Sequence, residues 1–294
     1  MGSRVYKSVE SEKAVLELYD QQASSLGIPF EDLYVDSRFG KTHLIKTGNP
    51  NGKPILLFHG GNSTAPYYLR DFLFLRDKYL LFAPDTMGHP GKSAQTVLSA
   101  KTLEYGEWAS DVIDALGYTQ MICMGGSYGG GVLAKLMCVA PEKISRAVMI
   151  VPSGICNVST ANILFKLGIP MMRYVITKSE KALVKAILPM AVTEDQIDES
   201  SLDMVRCSFQ HVSVKAGMPS NVSKDQMKNY RSPTLLIAGE KDVMFPGEKV
   251  IARAKELMPD LKTHLMLNSG HMSILTTEKN KPILKMISDF LADA

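Results

Sequence analysis

Met121-Ile-Cys-Met-Gly-Gly-Ser-Tyr-Gly-Gly-Gly131 is the stretch on which the fold of this chain turns. It begins as an uninterrupted apolar run, the pattern of a strand buried on both faces. It continues through Gly125-x-Ser127-x-Gly129 into a segment that reads as a helix from Tyr128 to Val139. A strand that becomes a helix within so few residues forces the serine into a strained backbone conformation and projects its Oγ from the end of the sheet. Strand and helix then lie too close for side chains at the flanking positions, so glycines stand there. The strand before and the helix after distinguish this serine from one in an ordinary glycine-rich turn.

Two rival glycine motifs fail on context. Gly129-Gly-Gly131-Val-Leu-Ala134 spells a dinucleotide fingerprint, but it starts inside the helix, and no acid ends the next strand, Ala147 to Val151. A phosphate-binding loop needs Gly-Lys-Ser/Thr, and Gly130 is followed by Gly131-Val132.

The same strand-and-helix unit extends in both directions. Upstream, a helix over 11–26 precedes two strands, 33–40 and 42–47, joined by a turn at Gly40-Lys41. Pro54-Ile-Leu-Leu-Phe58 is a buried strand closed by His59-Gly60-Gly61, and a helix at 66–77 leads to Tyr79-Leu-Leu-Phe-Ala83. A helix over 102–117 leads to the quoted strand. Downstream come Ser145 to Val151, Thr234 to Ala238, a helix at 246–257, His264 to Leu267 and a helix at 278–292. Buried strands alternating with amphipathic helices imply an α/β fold, a mostly parallel twisted sheet with helices on both faces.

Residues 155–232 break this rhythm. They carry helical patterns and no buried strand, with Thr193-Glu-Asp-Gln196 as a capping box, and Met171, Met172, Met190, Met204, Met218 and Met227 among them. The expected organisation is a core of 1–154 and 233–294 with a helical cap of 155–232 over the carboxyl ends of the strands. Phe165, Leu167, Met171, Met172 and Leu188 are candidate pocket-lining residues.

Composition excludes several classes. Of 294 residues, 45% are hydrophobic and 21% charged, which rules out a disordered chain. Lys+Arg 33 against Asp+Glu 30 is too even, at +3, for a nucleic-acid partner. No run of 18 apolar residues suggests a membrane span, and the polar N-terminal stretch shows no secretory signal. Cys123, Cys138, Cys156 and Cys207 have no C-x-x-C spacing and read as free thiols, so a cytoplasmic location is expected.

A serine nucleophile at neutral pH needs a base in contact and an acid behind that base. Of six histidines, only His264 and His271 follow the last strands in the order Ser, Asp/Glu, His. His264 falls inside a strand, whereas His271 follows Asn268-Ser-Gly270 in a loop at a strand's carboxyl end, where catalytic groups of open parallel sheets gather. The acid should lie between the two. The loop Gly239-Glu-Lys-Asp242 offers Asp242 first and Glu240 as the fallback. An oxyanion hole needs backbone N–H donors. Tyr128, at the helix start, supplies one; Gly61 is the choice for the other, with Asn62 as the alternative, and His59 is read as shaping that turn. No metal-ligand spacing is present, and neither a metal nor an organic cofactor is called for.

With these residues in hand, the chain resembles the α/β-hydrolase fold family, and its carboxylesterase-like serine hydrolases in particular. His59-Gly60-Gly61, Ser127, Asp242 and Ser269-Gly-His271 match the family's motifs in order and place, over about residues 28–293. One departure stands out. The family pattern D-x-x-G-x-G-x-S reads Asp85-Thr-Met-Gly88-His-Pro-Gly91-Lys-Ser93 here, one residue longer. The resemblance implies hydrolysis of small, fairly apolar carboxylic esters through an acyl-enzyme, with a small-molecule ester as the substrate. A serine in the elbow disfavours the dehalogenase and epoxide-hydrolase branches, which use aspartate. Thioesterase, amidase, carbon–carbon hydrolase and cofactor-free haloperoxidase activities share the triad, and a ligand-binding receptor with a weakly active triad is the competing class.

Overall fold

The computed structural model describes residues 5–159, 167–213, 216–272 and 280–292. Helix α1 (Val9–Ser25) starts where the Ser8 side chain accepts the Ser11 N–H. A hairpin follows, β1 (Glu31–Ser37) and β2 (Gly40–Gly48), paired antiparallel with Ser37 opposite Gly40. The turn therefore lies at Arg38-Phe39, not at Gly40-Lys41 as the sequence predicts. Ser37 closes it, its Oγ accepting the Phe39 N–H at 3.3 Å and donating to the Gly40 carbonyl at 2.7 Å.

Strands β3 (Lys53–Phe58), β4 (Tyr79–Pro84), β5 (Met121–Gly126), β6 (Ile144–Ile150), β7 (Thr234–Gly239) and β8 (Leu261–Met266) complete an eight-stranded sheet in the order β1-β2-β4-β3-β5-β6-β7-β8. Every pair from β4 to β8 is parallel, and only the β1–β2 and β2–β4 pairs are antiparallel. β8 ends one residue before the predicted strand, and Leu267 is exposed beyond it. The apolar runs are buried as expected, with Ile55, Leu56, Leu57 and Phe58 of β3 and Cys123 and Met124 of β5 fully inaccessible.

Helices cover both faces. α2 (Ala65–Leu69), α3 (Glu104–Ala115), α4 (Tyr128–Val139), and, near the end, α8 (Gly247–Leu257) and α9 (Lys281–Ala292) alternate with the strands. The predicted helix over 66–77 is a single α turn and then a 3-10 stretch, Arg70–Leu75. One apolar cluster, containing Trp108, Val132 and Phe245, fills one side of the sheet, and another, containing Phe72, Ile237 and Ile287, fills the other.

Between β6 and β7 the chain leaves the sheet to form α5 (Ile169–Thr177), α6 (Glu180–Ala191) and α7 (Glu199–His211). These helices share a small core of Met171, Tyr174, Leu183 and Ile187. The predicted capping box does not cap: Thr193 leads only a 3-10 turn, Glu194–Gln196, and makes no side-chain cap bond. The cap of α7 is Asp198, whose Oδ1 accepts the Ser201 N–H at 2.7 Å and so satisfies one of the orphan donors of a helix start. Met172 is 61% exposed, whereas Met171 is buried in this small core. Phe165 lies outside the described residues.

Candidate active site

Ser127 stands at the join of β5 and α4 with φ 52° and ψ −116°, a conformation that costs a non-glycine residue about 1–3 kcal/mol. The surroundings hold it there. Its N–H donates to the Ile150 carbonyl at 3.0 Å, and its carbonyl accepts from the Ser153 N–H at 2.9 Å and the Ser153 hydroxyl at 3.0 Å. The elbow glycines follow from the same closeness. A Cβ on Gly129 would run into the carbonyl oxygens of Phe58 and His59, and one on Gly125 into the Gly129 carbonyl.

The three side chains selected from the sequence meet. Ser127 Oγ lies 2.9 Å from His271 Nε2, and His271 Nδ1 lies 2.8 Å from Asp242 Oδ2. Asp242 is buried, and a carboxylate can only accept, so Nδ1 carries the imidazole proton and Nε2 is left to accept from the serine. The other carboxylate oxygen, Oδ1, accepts the N–H groups of Met244 at 2.8 Å and Phe245 at 3.0 Å. The Phe245 ring meets the His271 imidazole edge-on, with centroids 5.3 Å apart. His264, the rejected histidine, lies within β8, paired with Ile237 of β7.

The loop after β3 lies over the serine. An added Cβ on Gly60 would sit 3.7 Å from Ser127 Cβ, and one on Gly61 would touch Tyr128 at 3.4 Å. The Asn62 N–H is already used, donating to His89 Nδ1 at 3.0 Å. His59 takes the turn-shaping role: Nδ1 donates to the Gly60 carbonyl at 2.8 Å and Nε2 accepts the Thr86 N–H at 2.9 Å. Burial holds the His59 imidazole below its ordinary pKa, which keeps that donor–acceptor arrangement.

The inserted helices reach this site. The Met190 carbonyl, at the end of α6, accepts the Met272 N–H at 3.0 Å, next to His271. Tyr67 OH and Ser201 Oγ, 2.8 Å apart, join α2 to α7.

Several supporting residues escape sequence analysis. Ser153 pins the elbow, and Met244 and Phe245 pin Asp242 through main-chain groups that no side-chain motif can show. His43 is fully buried in β2, with Nδ1 2.8 Å from Asp85 Oδ2 and Nε2 2.7 Å from Asp32 Oδ1. Asp85 Oδ2 also accepts the Lys92 N–H at 2.8 Å, so the aspartate of the irregular Asp85–Ser93 segment is structural. Among the described residues no group of three or more His, Cys, Asp or Glu side chains is arranged to hold a metal ion, and no helix is long and apolar enough to cross a membrane.

A serine elbow after the third parallel strand of the sheet, an acid after β7 and a histidine after β8 are the arrangement of the α/β-hydrolase fold, and the model of the α/β-hydrolase fold family matches residues 53–170. Among particular proteins, the chain is 27% identical over 298 residues to carboxylesterase YbfK of Bacillus subtilis, covering 98% of this chain and 97% of that one. The crystal structure of that esterase, CesB (YbfK), superimposes with a TM-score of 0.81 at 24% identity, over 97% of this chain and 100% of the other. Naproxen esterase from the same organism superimposes with a TM-score of 0.79 at 21% identity, over 97% and 99%.

Proposed function

We propose that the chain is a serine hydrolase that cleaves small, fairly apolar carboxylic esters through an acyl-enzyme on Ser127. The observation that carries this reading is the continuous Ser127–His271–Asp242 relay, 2.9 and 2.8 Å long, on a strained elbow. The likeness to carboxylesterases supports the ester as substrate class.

In the proposed cycle His271 Nε2 takes the Ser127 proton as Oγ attacks the ester carbonyl carbon. Asp242 holds the imidazole tautomer and stabilises the imidazolium. The N–H groups of Gly61 and Tyr128 hold the oxyanion; removing one such donor typically costs about 2.7–4 kcal/mol of transition-state stabilisation. His271 then protonates the departing alkoxide, and a water deprotonated by the same nitrogen releases the acid. We assign residues 155–232 to a cap that shields this chemistry from water. The apolar preference rests on Leu167 and Met190, which pack against the same core as Tyr128 and Phe245.

The test is turnover of p-nitrophenyl acetate and butyrate, together with stoichiometric labelling by a fluorophosphonate. Both are expected in the native chain. Both should vanish in Ser127→Ala, with turnover down by roughly 10⁶, as in the subtilisin series. Tight ester binding with no turnover would replace the enzyme by a receptor.

A further inference from the structure

Two glycines in succession give the loop over Ser127 unusual rotational freedom. A trans peptide is planar, so the Gly60 carbonyl and the Gly61 N–H point in opposite directions from one rigid unit. A flip of that unit would replace a donor with a lone pair at the point where negative charge develops. One side of the unit is held: the Gly60 carbonyl accepts from His59 Nδ1 at 2.8 Å and from the Ser63 N–H at 3.4 Å. The other side is the next peptide, whose N–H, that of Asn62, donates to His89 Nδ1 at 3.0 Å. Asn62 itself is at φ 53°, in the left-handed region.

We propose that His89 is a positioning residue of the oxyanion hole: by accepting the Asn62 N–H it locks the peptide on the far side of Gly61, so that the Gly61 N–H remains presented over Ser127. The inference rests on the serine-hydrolase reading of the site. His89 is only 5% exposed and lies against Tyr128, the other oxyanion residue, with ring centroids 4.3 Å apart. It therefore bonds the residue next to Gly61 and packs on Tyr128. Its Nδ1 accepts, so its single proton is on Nε2, which makes no hydrogen bond among the described residues. Burial pushes its pKa down to about 3, and the neighbouring His59 acts in the same direction, so the ring stays an acceptor throughout the neutral range.

The same short segment serves both histidines. Thr86 gives its N–H to His59 Nε2, and the His89 N–H returns to the Thr86 carbonyl at 3.0 Å. The irregular Gly88-His-Pro-Gly91 sequence thus has a physical task, since it places the His89 imidazole under the oxyanion loop.

The experiment compares two near-isosteres on the full-length protein, His89→Asn, which keeps an acceptor near the Nδ1 position, and His89→Leu, which does not. For p-nitrophenyl acetate, His89→Leu should lower kcat by about 10²-fold with KM within about twofold, because ground-state binding does not use the donor. His89→Asn should stay within about fivefold of the native kcat. Equal impairment of both variants, or a native kcat in His89→Leu, would overturn the inference. Should either variant fail to fold, 15N NMR of the native protein decides: a neutral Nε2–H tautomer at pH 6 supports the proposal, and a proton on Nδ1 removes it. Absence of ester turnover in the native chain, or its persistence in Ser127→Ala, would instead strike the underlying serine-hydrolase reading.

Discussion

Glu240 and Asp242 stand two positions apart on one turn and are sent to opposite tasks. Asp242 Oδ2 meets His271 Nδ1 at 2.8 Å, while Glu240 Oε2 accepts the Asn268 N–H at 2.8 Å and reaches no part of the imidazole. The turn is clamped to the His271 loop by main-chain bonds as well, Lys241 N–H to the Ser269 carbonyl at 2.9 Å and Glu240 N–H to Met266 at 3.0 Å. One carboxylate thus ties the loop and the other orients the His271 imidazole.

This division separates two substitutions. In Asp242→Asn the two N–H groups of Met244 and Phe245 hold the amide oxygen, which turns the NH₂ toward His271 and forces the wrong tautomer. Ester turnover should fall by about 10⁴. In Glu240→Gln the amide oxygen still accepts from Asn268, so kcat should remain within a few-fold of native. Steady-state kinetics of the pair checks both, and the reverse ranking would make Glu240 the acid.

The sheet, its parallel middle and the three side chains that meet at Ser127 were legible because each rests on a one-dimensional signal. Buried strands are apolar runs, as at 54–58, and the elbow glycines answer to steric conflicts with main-chain atoms that any side chain would meet, Gly129 with Phe58 and Gly125 with Gly129. What was not legible depends on main-chain partners. Nothing in Thr193-Glu-Asp-Gln196 tells that the helix cap passes to Asp198: both residues have extended backbone, but Thr193 opens only a 3-10 turn, and it is Asp198 whose side chain meets an N–H of the first turn of α7. That the Asn62 N–H is taken by His89, 27 residues along the chain, could not be read from the sequence either. Likewise the Arg38-Phe39 turn is closed by the Ser37 hydroxyl ahead of the glycine, with Gly40 at φ 122° as the first residue of β2.

The elbow gives a prediction of its own. Gly129→Ala places a methyl group against main-chain oxygens of Phe58 and His59, neither of which can move without displacing β3 or the oxyanion loop. Overpacking of this kind costs about 1–3 kcal/mol. Urea denaturation should show that loss, and fluorophosphonate labelling of Ser127 should slow at least tenfold, by order of magnitude. Native labelling kinetics in a folded Gly129→Ala protein would show that the close approach of strand and helix does not set the serine.

His43 supplies a pH-dependent term. Burial alone would lower its pKa, but the hydrogen bond and charge of Asp85, and then those of Asp32, outweigh burial and raise it. A raised folded-state value means that the imidazolium contributes stability fully below the ordinary value of about 6.5, and that this contribution fades as pH climbs through the folded value. Replacing one partner of a buried pair costs about 3–5 kcal/mol, because the remaining charge is left uncompensated. His43→Gln should therefore lose most stability relative to native near pH 6 and noticeably less near pH 9. Urea titrations at the two pH values give the comparison, and a larger loss at the alkaline end would mean the ring is buried neutral.

Tyr6 ties the inserted helices to the body of the molecule. It pairs with Val212, just after α7, in an isolated antiparallel bridge, with Lys7 N–H on the His211 carbonyl at 2.9 Å and Ser213 N–H on the Val5 carbonyl at 2.7 Å. Its hydroxyl donates to the Gly91 carbonyl at 2.9 Å and accepts the Gly91 N–H at 3.0 Å, and burial pushes its pKa up to about 12, so it remains a donor. Tyr6→Phe removes one oxygen and leaves two buried main-chain groups of Gly91 unpaired, at a cost of about 1–3 kcal/mol. The loss should be felt on both sides of the tie. Amide hydrogen exchange should speed up in residues 199–213 and in 85–93, while the slowest amides of β5 and β6 fall only by the global change. Uniform acceleration across the whole sheet would mean that the arm, the insertion and the Asp85 segment open only with global unfolding.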